Sequence, residues 1–185
     1  GLGVMGLHSY FQQKNIPFGS VMSKVLNKKI FKNIQEKVDL ASVSLAEERG
    51  ACPDAAEYGM KERFSNKTAI APTASISIIC GGSSPGIEPI AANSYTHKTL
   101  SGSFNVRNKY LKKILQKYKK DTDDVWSTIT TNQGSVAHLD FLTPEEKDTF
   151  KTAFEIDQRW IVELGADRTP HISQAQSINI FIHVY

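Results

Sequence analysis

The chain is 185 residues long, 40% apolar and 22% charged, with a formal net charge of +3. That is enough apolar material for one packed domain or a piece of a larger one. The small charge excess argues against a nucleic-acid groove, no run reaches the length of a membrane span, and the amino terminus lacks the basic flank and cleavage site of a secretion signal, so a cytoplasmic chain with neither membrane nor nucleic acid as partner is expected.

Residues 1–13 predict a buried helix start, with Val4, Leu7, His8 and Phe11 at helical spacing. After a connector at 15–19, a long helix is expected from 20 to 48. Its apolar stripe is Leu26, Ile30, Ile34, Val38, Ala41 and Leu45, and Gly50 is a natural stop. The polar stretch "ACPDAAEYGMKERFSN" reads as irregular. Residues 67–80, "KTAIAPTASISIIC", are rich in β-branched side chains and predict a strand interrupted at Pro72. A loop over 81–89 and a weak extended segment over 92–106 follow. Tyr110, Leu111, Ile114, Leu115 and Tyr118 mark an amphipathic helix, with a second short one over 123–131.

Thr143-Pro144-Glu145-Glu146 is a helix-start signature, with a capping hydroxyl, proline at the first helical position and Glu146 placed for a capping box. The helix is expected to run through Phe150, Phe154, Ile161 and Leu164 to Gly165. A strand pattern then returns, with Ile172, Ile178, Ile180 and Ile182 on one alternation. Helices separated by apolar strands argue for an α/β chain that is parallel in part.

Few residues suggest chemistry. Cys52 and Cys80 share no metal-type spacing, form no disulfide framework and read as small buried hydrophobes. His8 and His138 lie among apolar neighbours and read as hydrogen-bonded core histidines. His97 and His171 have no partner at ligand spacing, so no metal site is expected. Glu88 reads as a turn or pairing residue and Arg168 as a packing one.

The informative stretch is "TAIAPTASISIICGGSSPGIEP", where hydroxyls and small side chains stand in place of core bulk. Small residues let an anion approach the main chain, whose N–H groups hold it without a formal positive charge, and hydroxyls add donors. Alternatively, Thr73, Ser75 and Ser77 satisfy buried backbone groups at a strand end. The loop is not of the Walker type, because no Gly-Lys-Ser/Thr follows.

This stretch resembles the phosphate-loop region of the large (alpha) subunit of ribonucleotide reductase. "GLGVMGLHSYF", "YTHKTLSGSF", "GSVAHLDFL" and "FEIDQRWIVELGADRTPHISQAQSINIFI" resemble the same family in the same order. The resemblance covers essentially residues 1–185 and implies a partial ten-stranded α/β barrel of the ribonucleotide reductase and glycyl-radical type. It implies that Thr73, Ala74, Ser75 and Ile76 hold the substrate's phosphates, with Ser77 beside them. The Pro-Thr-Ala-Ser form is similar to class I enzymes, whereas the cobalamin-dependent class II enzymes more often carry Pro-Thr-Gly-Thr; a class II origin stays open.

The family's radical cysteine pattern, Asn-x-Cys-x-Glu, does not occur, so no catalytic residue is expected in the chain, and the segment binds no cofactor of its own. By resemblance the full enzyme takes a ribonucleoside diphosphate, a radical from a metal-containing small (beta) subunit, a thioredoxin- or glutaredoxin-type reductant and nucleotide effectors. Both ends read as cut, and His183-Val184-Tyr185 departs from the family pattern. The chain is therefore expected to work with the remaining large-subunit segments and to be inactive alone. The competing reading is a non-catalytic nucleotide-binding or assembly half of a split reductase.

Overall fold

A computed structural model describes residues 1–100 and 102–182; the expectation for 183–185 lies outside them. The frame is set by three extended segments that run parallel. Leu2 bridges Thr68, and Ile70 bridges Gln176. The middle segment is hydrogen-bonded on both edges: Leu2 N donates to Lys67 O at 2.8 Å, and Ile70 N donates to Ala175 O at 3.1 Å. The parallel strand contacts expected from the sequence are therefore present as short bridges. Ten strands are not seen among the described residues, where the one regular sheet is an antiparallel hairpin of β1 (Ser94–Thr99) and β2 (Gly102–Arg107).

The helices α1 (Leu7–Gln13), α2 (Val21–Arg49) and α3 (Pro53–Glu57) precede the middle bridge or lead into it. α1 begins later than expected, because residues 1–3 are drawn out beside 67–69 and Gly6, at φ 85°, turns the chain into the helix. α2 matches its expected span. The Ser20 hydroxyl accepts from Ser23 N at 3.1 Å in a capping box, and Gly50 ends the helix at φ 83°. Its fully buried line is Ser23, Asn27, Phe31, Ser42 and Ala46, while Leu26, Ile30, Ile34, Val38 and Leu45 are half-buried and Ala41 is exposed. The shift arises because polar side chains do structural work there. Asn27 Nδ2 donates to Leu164 O at 2.9 Å, and Arg168 Nη1 donates to Asn27 Oδ1 at 3.2 Å.

Two expectations need correction. Residues 74–79 form a helix, α4 (Ala74–Ile79), and not the second half of a strand. Thr73 sits at φ 53°, ψ 27°, a left-handed conformation that ends the extended run whatever the β propensity of the residues after it. The helix expected over 143–165 is two helices, α7 (Pro144–Thr149) and α8 (Arg159–Arg168). The Thr143 capping box is as expected, but the chain between the two helices leaves the helical path. There Ala153 N donates to Ile90 O at 2.7 Å, and the Gln158 amide donates to the carbonyls of Ala153 and Ile156. α5 (Lys109–Lys117) and α6 (Asp123–Thr131) lie where the spacing puts them.

Burial divides into two clusters. One joins Leu7, Phe11, Phe31, Ile70, Ile87 and Leu164 around the bridged segments. The other joins Leu111, Leu115, Trp126 and Ile129 from α5 and α6 with Leu142 and Phe150, which flank α7. The turn after α6 meets the loop that precedes β1 at Gly134. That glycine is at φ 82°, and a Cβ there would stand 2.4 Å from Ala92 Cβ and 2.9 Å from Asn93 N. Gly134→Ala combines left-handed strain with backbone overlap and is expected to destabilise the protein by about 2–4 kcal/mol, read as a fall in urea midpoint at constant slope. A midpoint within error of wild type would contradict this packing.

Candidate phosphate cradle

The site is built from the end of the middle extended segment. Held on both edges, residues 67–70 deliver Pro72 and Thr73 at a fixed place. Thr73 is β-branched and left-handed, a combination that costs roughly 1–3 kcal/mol and persists only where the surroundings enforce it. Here the enforcing contact is the Thr73 hydroxyl, which accepts from Gly86 N at 2.7 Å. Gly86 itself is at φ 44°, and a Cβ on it would lie 2.9 Å from Ala71 O, so glycine allows the returning loop to press on the segment end.

Because Thr73 bonds across to Gly86, its side chain does not cap α4. The first-turn N–H groups at Ala74, Ser75 and Ile76 lack intrahelical partners by helix geometry and carry the positive end of the peptide dipoles. Ala74, Ser75 and Ile76 are exposed, Thr73 is half-buried and Ser77 is buried. The Ser77 hydroxyl donates back to Ala74 O at 2.7 Å, and Ser77 O accepts from Ser83 N at 3.1 Å. Of the three hydroxyls singled out in the sequence, two therefore serve backbone groups and Ser75 lies at the open end. Chemically, the turn offers backbone and hydroxyl donors to acceptor oxygens. Lys109 Nζ sits at the other end of α4, 3.3 Å from Gly81 O.

The loop that returns from α4 is clamped by α1. Ser84 N donates to Ser9 Oγ at 2.8 Å, Ser9 N donates to Ser84 Oγ at 3.1 Å, and Gly6 N donates to Ser84 O at 3.0 Å. His8 Nδ1 accepts from Ile90 N at 3.0 Å, so the imidazole proton resides on Nε2, which has the Thr149 carbonyl nearby without a hydrogen bond of good geometry. His8 is fully buried and edge-on to Phe18 at 5.3 Å. Burial lowers its pKa to about 3, against a smaller opposing pull from the Thr149 carbonyl. Glu88 anchors the far side of the loop: its carboxylate accepts from Asn179 N at 2.8 Å and Asn179 Nδ2 at 3.0 Å.

The other sequence expectations resolve unevenly. Glu88 is a pairing residue as read, and Arg168 is a packing one, 1% exposed with its guanidinium on Asn27, Gln176 and the Phe31 ring. His138 is not a core histidine. It is exposed, with Nε2 3.0 Å from Thr128 Oγ1. Cys80, at the carboxyl end of α4, is exposed and Cys52 only half-buried. The Ser9–Ser84 exchange, Gly86 and Asn179 escaped notice because no local pattern marks a contact between residues 75 or 91 positions apart.

Comparison with known proteins supplies what the geometry alone does not. The family model for the ribonucleotide reductase barrel domain matches residues 1–62 and 53–184. The ribonucleoside-diphosphate reductase large subunit of Invertebrate iridescent virus 6 is 47% identical over 98% of this chain and 19% of its own length. The large subunit of Caenorhabditis elegans is 32% identical over 97% of this chain and 26% of its own length. Among solved structures, the Actinobacillus ureae class Id ribonucleotide reductase alpha subunit superposes with a TM-score of 0.88 at 43% identity, over 97% of this chain and 32% of the other. The chain thus spans between about a fifth and a third of these relatives.

Because His8 is neutral when folded and protonated below about pH 6.5 when unfolded, the unfolded state binds the extra proton between pH 6.5 and 3. Stability should fall as pH is lowered through that window, by about 1.4 kcal/mol per pH unit from this group alone. His8→Gln should flatten the slope of unfolding free energy against pH by that amount. Parallel slopes for the two proteins would contradict the buried neutral imidazole.

Proposed function

The chain belongs to the ribonucleotide reductase large-subunit family, and from that premise we propose that it supplies the substrate phosphate cradle of a class I ribonucleoside-diphosphate reductase. In this reading the N–H groups of Ala74, Ser75 and Ile76 donate to phosphate oxygens of a ribonucleoside diphosphate. The Ser75 hydroxyl adds one exposed donor. Thr73 and Ser77 work through the backbone, Thr73 by holding the left-handed turn and Ser77 by bracing the first turn of α4. The observation that carries the proposal is the Thr73–Gly86 bond: it diverts the residue that would cap α4 and leaves donors open at the end of a segment pinned on both edges.

Such a cradle binds and orients, and its contribution to rate is positional. The diphosphate is fixed by three backbone donors that need no reorganisation when it arrives. The radical chemistry belongs to residues outside this chain, which holds no Asn-x-Cys-x-Glu. A metal-containing small subunit would supply the radical and a dithiol protein the electrons, in a cytoplasmic enzyme regulated by nucleotide effectors. Among the described residues no helix is long and apolar enough to cross a membrane.

The test uses a large subunit containing this segment, assembled with its radical-generating partner. Thr73→Val removes the hydroxyl that holds Gly86 and should raise KM for the diphosphate about tenfold, the equivalent of one net hydrogen bond, with a smaller change in kcat. Thr73→Ser should restore KM, and Ser75→Ala should change it less than about threefold. An unchanged KM in a folded Thr73→Val enzyme would overturn the assignment.

A further inference from the structure

The hairpin and α6 face each other across polar surfaces. In the hairpin register Ser94 pairs with Arg107 and Thr96 with Asn105, so these four side chains share one face. On α6, Asp123, Trp126, Ser127 and Thr130 recur at helical spacing and share one face as well. Elements that serve only to pack meet through apolar faces. These two leave a cleft of about 360 Å³ between them, walled by Ser94, Asn105, Arg107 and the four α6 residues. Its size falls within the range of about 300–1,000 Å³ typical of small-molecule sites.

The cleft carries one charge of each sign. Arg107 Nη2 donates to Asp123 Oδ1 at 2.8 Å, and the guanidinium carbon stands 5.4 Å from the centre of the Trp126 ring. Trp126 is 1% exposed and its Nε1 donates to Asp121 Oδ1 at 2.8 Å, so the ring under the guanidinium is fixed. Asp121 is thereby spent, and it is not part of the wall. Asp123 takes one of the two Nη2 hydrogens, which leaves one complete N–H edge of the guanidinium open. Asp123 Oδ2 has no hydrogen-bond partner among the described residues. Both charged side chains are within reach of an occupant, Arg107 being 32% and Asp123 91% exposed. The uncharged wall divides in two. Thr130 Oγ1 donates to Trp126 O at 2.9 Å and lies 2.8 Å from Ser94 Oγ, so those hydroxyls serve the protein itself. Ser127 and Asn105 are exposed.

We propose that this cleft binds a free α-amino acid as its zwitterion, the carboxylate on the open edge of Arg107 and the ammonium on Asp123 Oδ2. A lone anion would meet the Asp123 carboxylate and a lone cation the Arg107 guanidinium. A zwitterion sets each of its charges against the opposite one and leaves the existing pair unbroken. Its two charged groups hang from one carbon, which matches an arginine and an aspartate in direct contact. The planar guanidinium edge suits a carboxylate, and the polar wall suits a small hydroxyl- or amide-bearing side chain. The site is separate from the phosphate cradle and does not depend on it.

Serine, glycerate and serinamide serve as matched probes. Glycerate replaces the ammonium of serine by a hydroxyl, and serinamide replaces its carboxylate by an amide. Each is titrated into the intact protein by NMR, with the Arg107 Nε–H and Trp126 Nε1–H resonances as reporters. Serine should shift both resonances saturably and bind about tenfold more tightly than either analogue, the loss expected for one charged hydrogen bond. Arg107→Gln should weaken serine by about tenfold, and Asp123→Asn should bring serine and glycerate within about threefold of each other. Glycerate or serinamide binding as tightly as serine, or no saturable binding of serine, would each overturn the proposal. The comparison of the three probes in the wild-type protein stands even if a variant does not fold.

Discussion

The middle extended segment, residues 67–70, is the constraint on which the rest depends. It is bonded to residues 1–3 on one side and to 174–177 on the other, and the bonds are mostly backbone to backbone. Side chains tighten one edge further. Thr68 N donates to Ser173 Oγ at 2.8 Å, and Ser173 N donates to Thr68 Oγ1 at 2.9 Å. A segment fixed on both edges cannot slide by one residue without turning Ile70 out of the core. Its end is therefore a fixed point in space, and the strained turn at Thr73 and the open end of α4 are positioned from it.

Around that fixed point the chain uses buried polar contacts where a simpler domain would use bulk. Ser9 with Ser84, His8 with Ile90, Glu88 with Asn179, and Arg168 with Asn27 and Gln176 each tie together parts of the chain distant in sequence. Burying such groups costs free energy unless every partner is met, so they add little net stability, but they penalise every alternative arrangement. That suits a loop whose donors must stand ready in one geometry. Two buried nitrogens, His8 Nε2 and Gln12 Nε2, have no hydrogen-bond partner among the described residues.

Local signals made much of this legible. The Ser20 and Gly50 ends of α2 and the Thr143 capping box are written in consecutive residues, and both appear where expected. The segment Ala-Ser-Ile-Ser-Ile-Ile reads as strand because β-branched side chains favour one; a left-handed threonine locked by a glycine thirteen residues later overrides that preference. The break between α7 and α8 carries no proline or glycine, and apolar spacing continues across it through Phe150 and Phe154; it is held by side-chain bonds from Gln158 and Glu155 and by the long-range Ala153–Ile90 contact. At the site, resemblance pointed to Thr73 to Ser77, which the structure places at a left-handed residue and the first turn of α4. What it could not convey is that two of the three hydroxyls are spent on the protein's own backbone, since that depends on how the loop returns.

The most direct test of the cradle is a titration of inorganic diphosphate into isotopically labelled protein, followed by amide NMR. Backbone recognition requires the Ala74, Ser75 and Ile76 N–H resonances to move downfield together and saturate, as hydrogen bonds to phosphate oxygens form. Shifts confined to the lysine-rich faces of α2 and α5, or no saturable shift at those three amides, would mean that the open end of α4 is not where phosphate binds.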